Sequence, residues 1–261
     1  MTIQRGRGAL PPDAAPLLGL IVGSWVLMLV MLAAGDGEAG SHHTVLGDGG
    51  VPAAASLILF VVTWQVMTAA MMLPTSLPLV RLFVGASRAQ AHPRLVLVAF
   101  LGGYFAVWTG FAVVALAFDA GVHQAVARWA WFAARPHLVT GPILLLAGAF
   151  QFSPLKERCL DACRTPMEFL WRHYGRGPRR AWRLGLRHGV FCLGCCWALM
   201  LVMFAVGVGN IAWMAGLTGV MAIEKTAPWG RRLVPPVGSV LLLWGAVLLL
   251  RPDLVPPALG G

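Results

Sequence analysis

Five cysteines fall in two tight groups, Cys159/Cys163 and Cys192/Cys195/Cys196, each where an apolar stretch meets a basic segment. On a helix, thiols three or four residues apart lie about 5–6 Å from each other at Cβ, within reach of a single metal ion. Thiolate and thioether sulfur select Cu(I) and other soft ions, and tolerate zinc. In Arg187-His188-Gly189-Val190-Phe191-Cys192-Leu193-Gly194-Cys195-Cys196-Trp197, a turn of about 100° per residue puts His188 and the three cysteines within one arc of roughly 100°. Trp197 then points the opposite way, toward lipid. Met200 and Met203 extend the sulfur stripe, and Met67, Met71 and Met72 repeat the pattern on an earlier stretch. The candidate metal ligands are therefore Cys192, Cys195 and Cys196, with Cys159 and Cys163 as an entry or handover pair. His188 serves as ligand or proton acceptor, since thiols release protons when they bind metal. Met71, Met72, Met200 and Met203 are thioether stations deeper in. The expected cargo is copper as Cu(I), with zinc as the alternative ion; no catalytic or cofactor-binding residue is assigned.

Other chemistries remain open. Cysteine often behaves as a small buried hydrophobe, and Gly194 would permit close helix packing. Cys192-Leu193-Gly194-Cys195 is a C-x-x-C, and Arg187 and His188 beside it would activate a thiol, the signature of a thiol-disulfide oxidoreductase. A reducing cytoplasmic location disfavours stable disulfides. The third reading is a non-catalytic subunit of a membrane complex, docking through small-residue faces such as Gly102-Gly103 and Gly207-x-Gly209. His42-His43, with Asp36, Glu38 and Asp48 around them, read as a flexible polar loop, and Glu224 with Lys225 as an interfacial salt bridge. The basic run 172–187, with Trp171, His173 and Trp182, reads as a loop binding lipid headgroups. No G-x-x-x-x-G-K-[ST] loop occurs, so ATP-driven pumping by this chain alone is not expected.

The elements that must carry these residues follow from composition. The chain has 261 residues, 58% of them hydrophobic and 11% charged, with 11 Trp against 2 Tyr. Soluble domains hold about 25% charged residues, so this is the composition of a membrane protein. The formal charge of +10 crowds into segments between apolar stretches, as in cytoplasmic loops facing anionic lipid, and nucleic acid is not an expected partner. Seven stretches approach the roughly 20 apolar residues needed to cross a bilayer: 17–34, 53–73, 95–118, 138–152, 188–208, 210–223 and 234–250. Residues 122–134 read as an interfacial amphipathic helix. The expected fold is all-α, a polytopic bundle of about seven transmembrane helices over 17–250, with tails at 1–16 and 251–261. The first stretch resembles a signal peptide, but its length and the lack of a cleavage site favour a retained helix. Arg5 and Arg7, then 74–94, 153–187 and 224–233 are basic, whereas 35–52 has no Lys or Arg. This alternation puts the N-terminus in the cytoplasm and the C-terminus outside, with all the thiols at the cytoplasmic face.

The same residues carry a family resemblance. Trp64-Gln65-Val66-Met67-Thr68-Ala69-Ala70-Met71-Met72-Leu73-Pro74, Gln151-Phe152-Ser153-Pro154-Leu155-Lys156 with Cys159 and Cys163, and Gly185-Leu186-Arg187-His188-Gly189 with the three following cysteines resemble the bacterial DUF2182 family. So do Asn210-Ile211-Ala212-Trp213-Met214, Glu224-Lys225 and Pro228-Trp229-Gly230-Arg231-Arg232. The resemblance covers roughly 53–250 and implies a metal-binding integral membrane protein of the bacterial inner membrane, some members being labelled copper chaperones. Its expected partners are the lipid bilayer and a metallochaperone or another membrane protein.

Overall fold

The computed structural model describes residues 15–33, 53–206 and 210–251. His42, His43, Asp36, Glu38, Asp48, Arg5, Arg7, Gly207, Gly209 and the tail beyond Arg251 lie outside them. The described chain forms helices α1 (Ala15–Ala33), α2 (Ala53–Ser87), α3 (Pro93–Arg128), α4 (Ala130–Ala133), α5 (His137–Gln151), α6 (Pro154–Arg164), α7 (Pro166–His173), α8 (Pro178–Val206) and α9 (Ile211–Thr226). A 3₁₀ turn at Gly230–Leu233 leads into α10 (Val234–Leu250), and no strand occurs among the described residues. The all-α expectation holds. Among the described residues, four helical stretches are long and apolar enough to cross a membrane: Leu57–Ser87, Pro93–Val126, Pro178–Met203 and Gly230–Leu250. A fifth arises if α5 and α6, bent by 63° at their junction, count as one broken span. A count of seven does not follow from these lengths, because the apolar stretch Ala15–Met31 and the 16-residue α9 are short for the hydrocarbon thickness.

Several helices run further than sequence signals suggest. α2 continues through Pro74 and Pro78, although a proline removes the hydrogen bond to the carbonyl four residues back. The carbonyl that Pro74 leaves free is that of Ala70, and Trp25 Nε1 of α1 donates to it at 3.0 Å. The helix thus survives, and the same bond fastens α1 to α2. Residues 122–128 likewise continue α3 instead of starting a separate interfacial helix. Nothing between Asp119 and Arg128 interrupts the backbone ladder, which breaks only at the extended Trp129 (φ −125°, ψ 96°). α8 begins at Pro178, ten residues before the expected start of the fifth span, so Arg179, Arg180, Arg183 and Arg187 are exposed helix residues and not part of a loop. The turn before it is closed by Gly177 (φ 90°), a left-handed conformation that suits glycine, with its N–H donating to Gln90 Oε1 at 2.8 Å.

The central packing is α3 against α8, and small residues make it possible. A Cβ at Gly189 would lie 2.9 Å from Val107 Cβ, and one at Gly102 would lie 2.9 Å from the Trp182 ring. Cβ atoms at Gly103 and Gly185 would collide with backbone carbonyls of the facing helix. The Gly102-Gly103 face is therefore spent inside this chain and is not free to dock another membrane protein. α5 and α10 pair in the same way through Gly141, Gly148, Gly238 and Gly245.

The sharp bend between α5 and α6 has a local cause. Ser153, preceding Pro154, is held extended (φ −78°, ψ 141°), as residues before proline are. Its hydroxyl accepts from Lys156 N at 3.1 Å and caps α6. α6 then folds back onto α8, held by charge. Lys156 Nζ donates to Glu224 Oε2 of α9 at 2.7 Å, with the two side chains only 1% and 2% exposed. Arg164 of α6 donates to the carbonyls of Glu224 and Pro228, satisfying acceptors at the C-terminal end of α9, and Asp161 pairs with Arg231.

Replacing Gly185 by Leu should lower the thermal midpoint of the detergent-purified protein, because overpacking a close contact costs about 1–3 kcal/mol or more; an unchanged midpoint would mean that α3 and α8 do not meet there. Lys156→Ala should destabilise by about 3–5 kcal/mol by stranding the Glu224 charge. The double replacement Lys156→Met/Glu224→Met should recover most of that loss in the same thermal assay.

Candidate metal centre

All five sulfurs come together although they belong to two helices. Cys159 and Cys163 lie on α6, which is a capped helix and not the basic loop that their neighbours suggest. Its fold-back sets Cys159 directly over Gly194 of α8: a Cβ there would lie 2.6 Å from Cys159 Sγ. Gly194 is thus the gap through which α6 approaches the three cysteines of α8. Cys159 and Cys163 both lie close enough to Cys195 to interact with it electrostatically, and Cys192, Cys195 and Cys196 interact with one another. Every thiol is free. Cys159, Cys192, Cys195 and Cys196 are buried and Cys163 is half-buried, which makes Cys163 the member nearest the surface.

The α8 thiols are ordered by their own helix. Cys195 and Cys196 donate to the carbonyl of Cys192 at 3.0 and 2.8 Å, the local back-bonding expected of short polar side chains in helices. Cys196 Sγ also lies 3.8 Å from Met72 Sδ of α2, so one thioether reaches the thiols directly. Met71, Met200 and Met203 are fully buried in the same core. Trp197, expected to face lipid, is instead half-buried and packs edge-on against Phe150 of α5, 5.0 Å between ring centres.

His188 has a different setting from the sulfurs. Its ring is stacked by Tyr104 and Phe100 and met edge-on by Phe169, and Nε2 lies 3.1 Å from Ser76 Oγ. Ser76 donates onward to the Tyr104 hydroxyl at 3.4 Å, which lies 3.2 Å from Cys192 Sγ. A buried polar chain therefore connects the imidazole to the first thiol through Ser76 and Tyr104.

The residue that sequence reasoning missed is Lys225. Its expected partner, the adjacent Glu224, turns instead to Lys156. Lys225 is buried and donates to Cys192 Sγ at 3.2 Å, Cys196 Sγ at 3.8 Å and Thr75 Oγ1 at 3.2 Å. A charged residue at the end of an apolar helix was the available signal, because such residues are rare in membranes and usually functional. Thr75, Ser76 and Tyr104 left no such signal.

Among the described residues, no group of three or more His, Cys, Asp or Glu side chains stands ready to hold a metal ion. A closed zinc site needs about four such ligands in a tetrahedron. Thiolate and thioether sulfur are ligands for soft ions such as copper and also for zinc. A cavity of about 220 Å³ opens at the bend between α5 and α6, lined by Gln151, Ser153, Lys156, Asp161 and Arg231 among others.

No curated protein and no solved structure matches this sequence. The family described as PpoB2, copper chaperone, matches residues 61–248, a stretch that contains all five cysteines, the Met71-Met72 pair, His188 and Lys225. With more than two thirds of the sequence matched, this chain belongs to the PpoB2 copper chaperone family.

Proposed function

We propose that this protein is a multi-pass protein of the bacterial inner membrane that binds Cu(I) at the thiol cluster between α6 and α8 and hands it on. The observation that carries this reading is the convergence of Cys159 and Cys163 with Cys192, Cys195 and Cys196 in a chain of a copper chaperone family. The resemblance to the DUF2182 family points the same way. Cys163, half-buried and within reach of Cys195, is the entry sulfur, with Cys159 beside it. Cys192, Cys195 and Cys196 supply the binding thiols, two of them at a time, and Met72, then Met71, Met200 and Met203, offer weaker thioether contacts further in. Weak sites in series suit transfer, since no single one traps the ion. For His188 to accept the thiol protons that leave when metal binds, both hydroxyls of the Ser76–Tyr104 chain must turn to donate toward its ring. The N-terminus is cytoplasmic and the C-terminus outside, in a bundle of about seven crossings, with a metallochaperone or another membrane protein as exchange partner.

Thiol-disulfide chemistry at Cys192 and Cys195 has one observation in its favour, the ammonium of Lys225 on Cys192, because a neighbouring cation activates a thiol. Complete burial of both sulfurs works against it, as a disulfide substrate must reach the attacking sulfur.

Anaerobically purified protein, titrated with Cu(I) against a chromophoric chelator, should bind about one equivalent. The variant carrying Cys192→Ser, Cys195→Ser and Cys196→Ser should bind none tightly, and equal binding by the two proteins would overturn the assignment.

A further inference from the structure

A sulfur site for a cation has no obvious need of a second cation, yet Lys225 sets its ammonium against two of the sulfurs. An ammonium carries three N–H donors and no acceptor, and here it has three acceptors: Cys192 Sγ, Cys196 Sγ and Thr75 Oγ1. The Thr75 hydroxyl hydrogen is itself committed to Met72 O at 2.8 Å, so its lone pairs are what face the lysine. The nearest carboxylate in sequence, Glu224, is bound to Lys156. A buried charge must be compensated, and sulfur is what this ammonium meets.

The charges then decide which ion the cluster suits. When Cu(I) binds two thiols, two S–H bonds break, two S–Cu bonds form and two protons leave. The product has one net negative charge, which one ammonium cancels. Zn(II) on the same two thiolates gives a neutral product, and the ammonium is then itself left uncompensated in a low-dielectric interior. We infer that Lys225 is the built-in counter-ion of a two-thiolate site at Cys192 and Cys196, and that it makes the centre selective for singly charged soft ions over divalent ones. This assignment rests on the proposed copper-binding function and adds the source of its selectivity.

The test uses the full-length protein in detergent, titrated separately with Cu(I), with Ag(I) as a redox-inert monovalent probe, and with Zn(II). Lys225→Met removes the charge and keeps the apolar bulk. It should weaken Cu(I) and Ag(I) binding about a hundredfold, the scale of an unpaired buried charge, and should not weaken Zn(II) binding, whose two-thiolate product is neutral without it. Lys225→Arg should restore monovalent binding to within about tenfold of the native value. Native-like affinity for Cu(I) and Ag(I) in Lys225→Met would overturn the role of Lys225 while leaving the copper site in place. Failure of the native protein to bind either monovalent ion more tightly than the triple cysteine variant would instead overturn the copper reading, and this inference with it. X-ray absorption on the native Cu(I) form is independent of any variant's folding. Two sulfur neighbours are expected, and three or four would contradict the charge match.

Discussion

Charge buried in a low-dielectric interior has to be compensated locally, and this requirement organises the half of the molecule that carries the sulfurs. Lys156, Glu224 and Lys225 are all buried, and each is answered by a group from another helix. Lys156 of α6 meets Glu224 of α9, while Lys225 of α9 meets Thr75 of α2 and Cys192 and Cys196 of α8. Four helices are thereby drawn to one place. α6 is too short and too polar to be held there by apolar area alone. Its position over Gly194, and hence that of Cys159 and Cys163, depends on the ion pair and on the clasp of Arg164 around the end of α9.

Close helix approach is the second condition, and it is met by removing side chains. Glycines let α3 and α8 bring their backbones together, and that closeness places Tyr104 beside Cys192 and the His188 ring. Proline acts in the opposite sense on α2, where it frees a carbonyl that Trp25 occupies, so a helix defect becomes a tie between helices. Four of the five sulfurs are thus buried in the same core as aromatic and aliphatic groups.

What was legible in the sequence depended on how local the cause was. The all-α class and the apolar spans were readable because a bilayer-length helix needs only its own residues to be apolar. The i, i+3 and i, i+4 spacing of the cysteines was readable because a helix fixes it without reference to any neighbour. Cys159 and Cys163 read from sequence as loop residues because a short amphipathic helix after a proline resembles a charged connector until something packs against it. Helical geometry within α8 alone points Trp197 at lipid, whereas α5 covers that side with Phe150. The Glu224–Lys225 pairing failed for a geometric reason: adjacent residues on a helix point about 100° apart, and each side chain finds a better partner elsewhere.

The sequence by itself determined an all-α membrane protein with cysteines and methionines grouped at helical spacing, since composition and periodicity act within single helices. Only the tertiary structure decided that the two cysteine groups form one centre and that Lys225 lies against its thiols. It also decided that His188 reaches those thiols through Ser76 and Tyr104. These are contacts between residues 28 to 150 positions apart. They arise from helix packing and charge pairing, which no local pattern along the chain records.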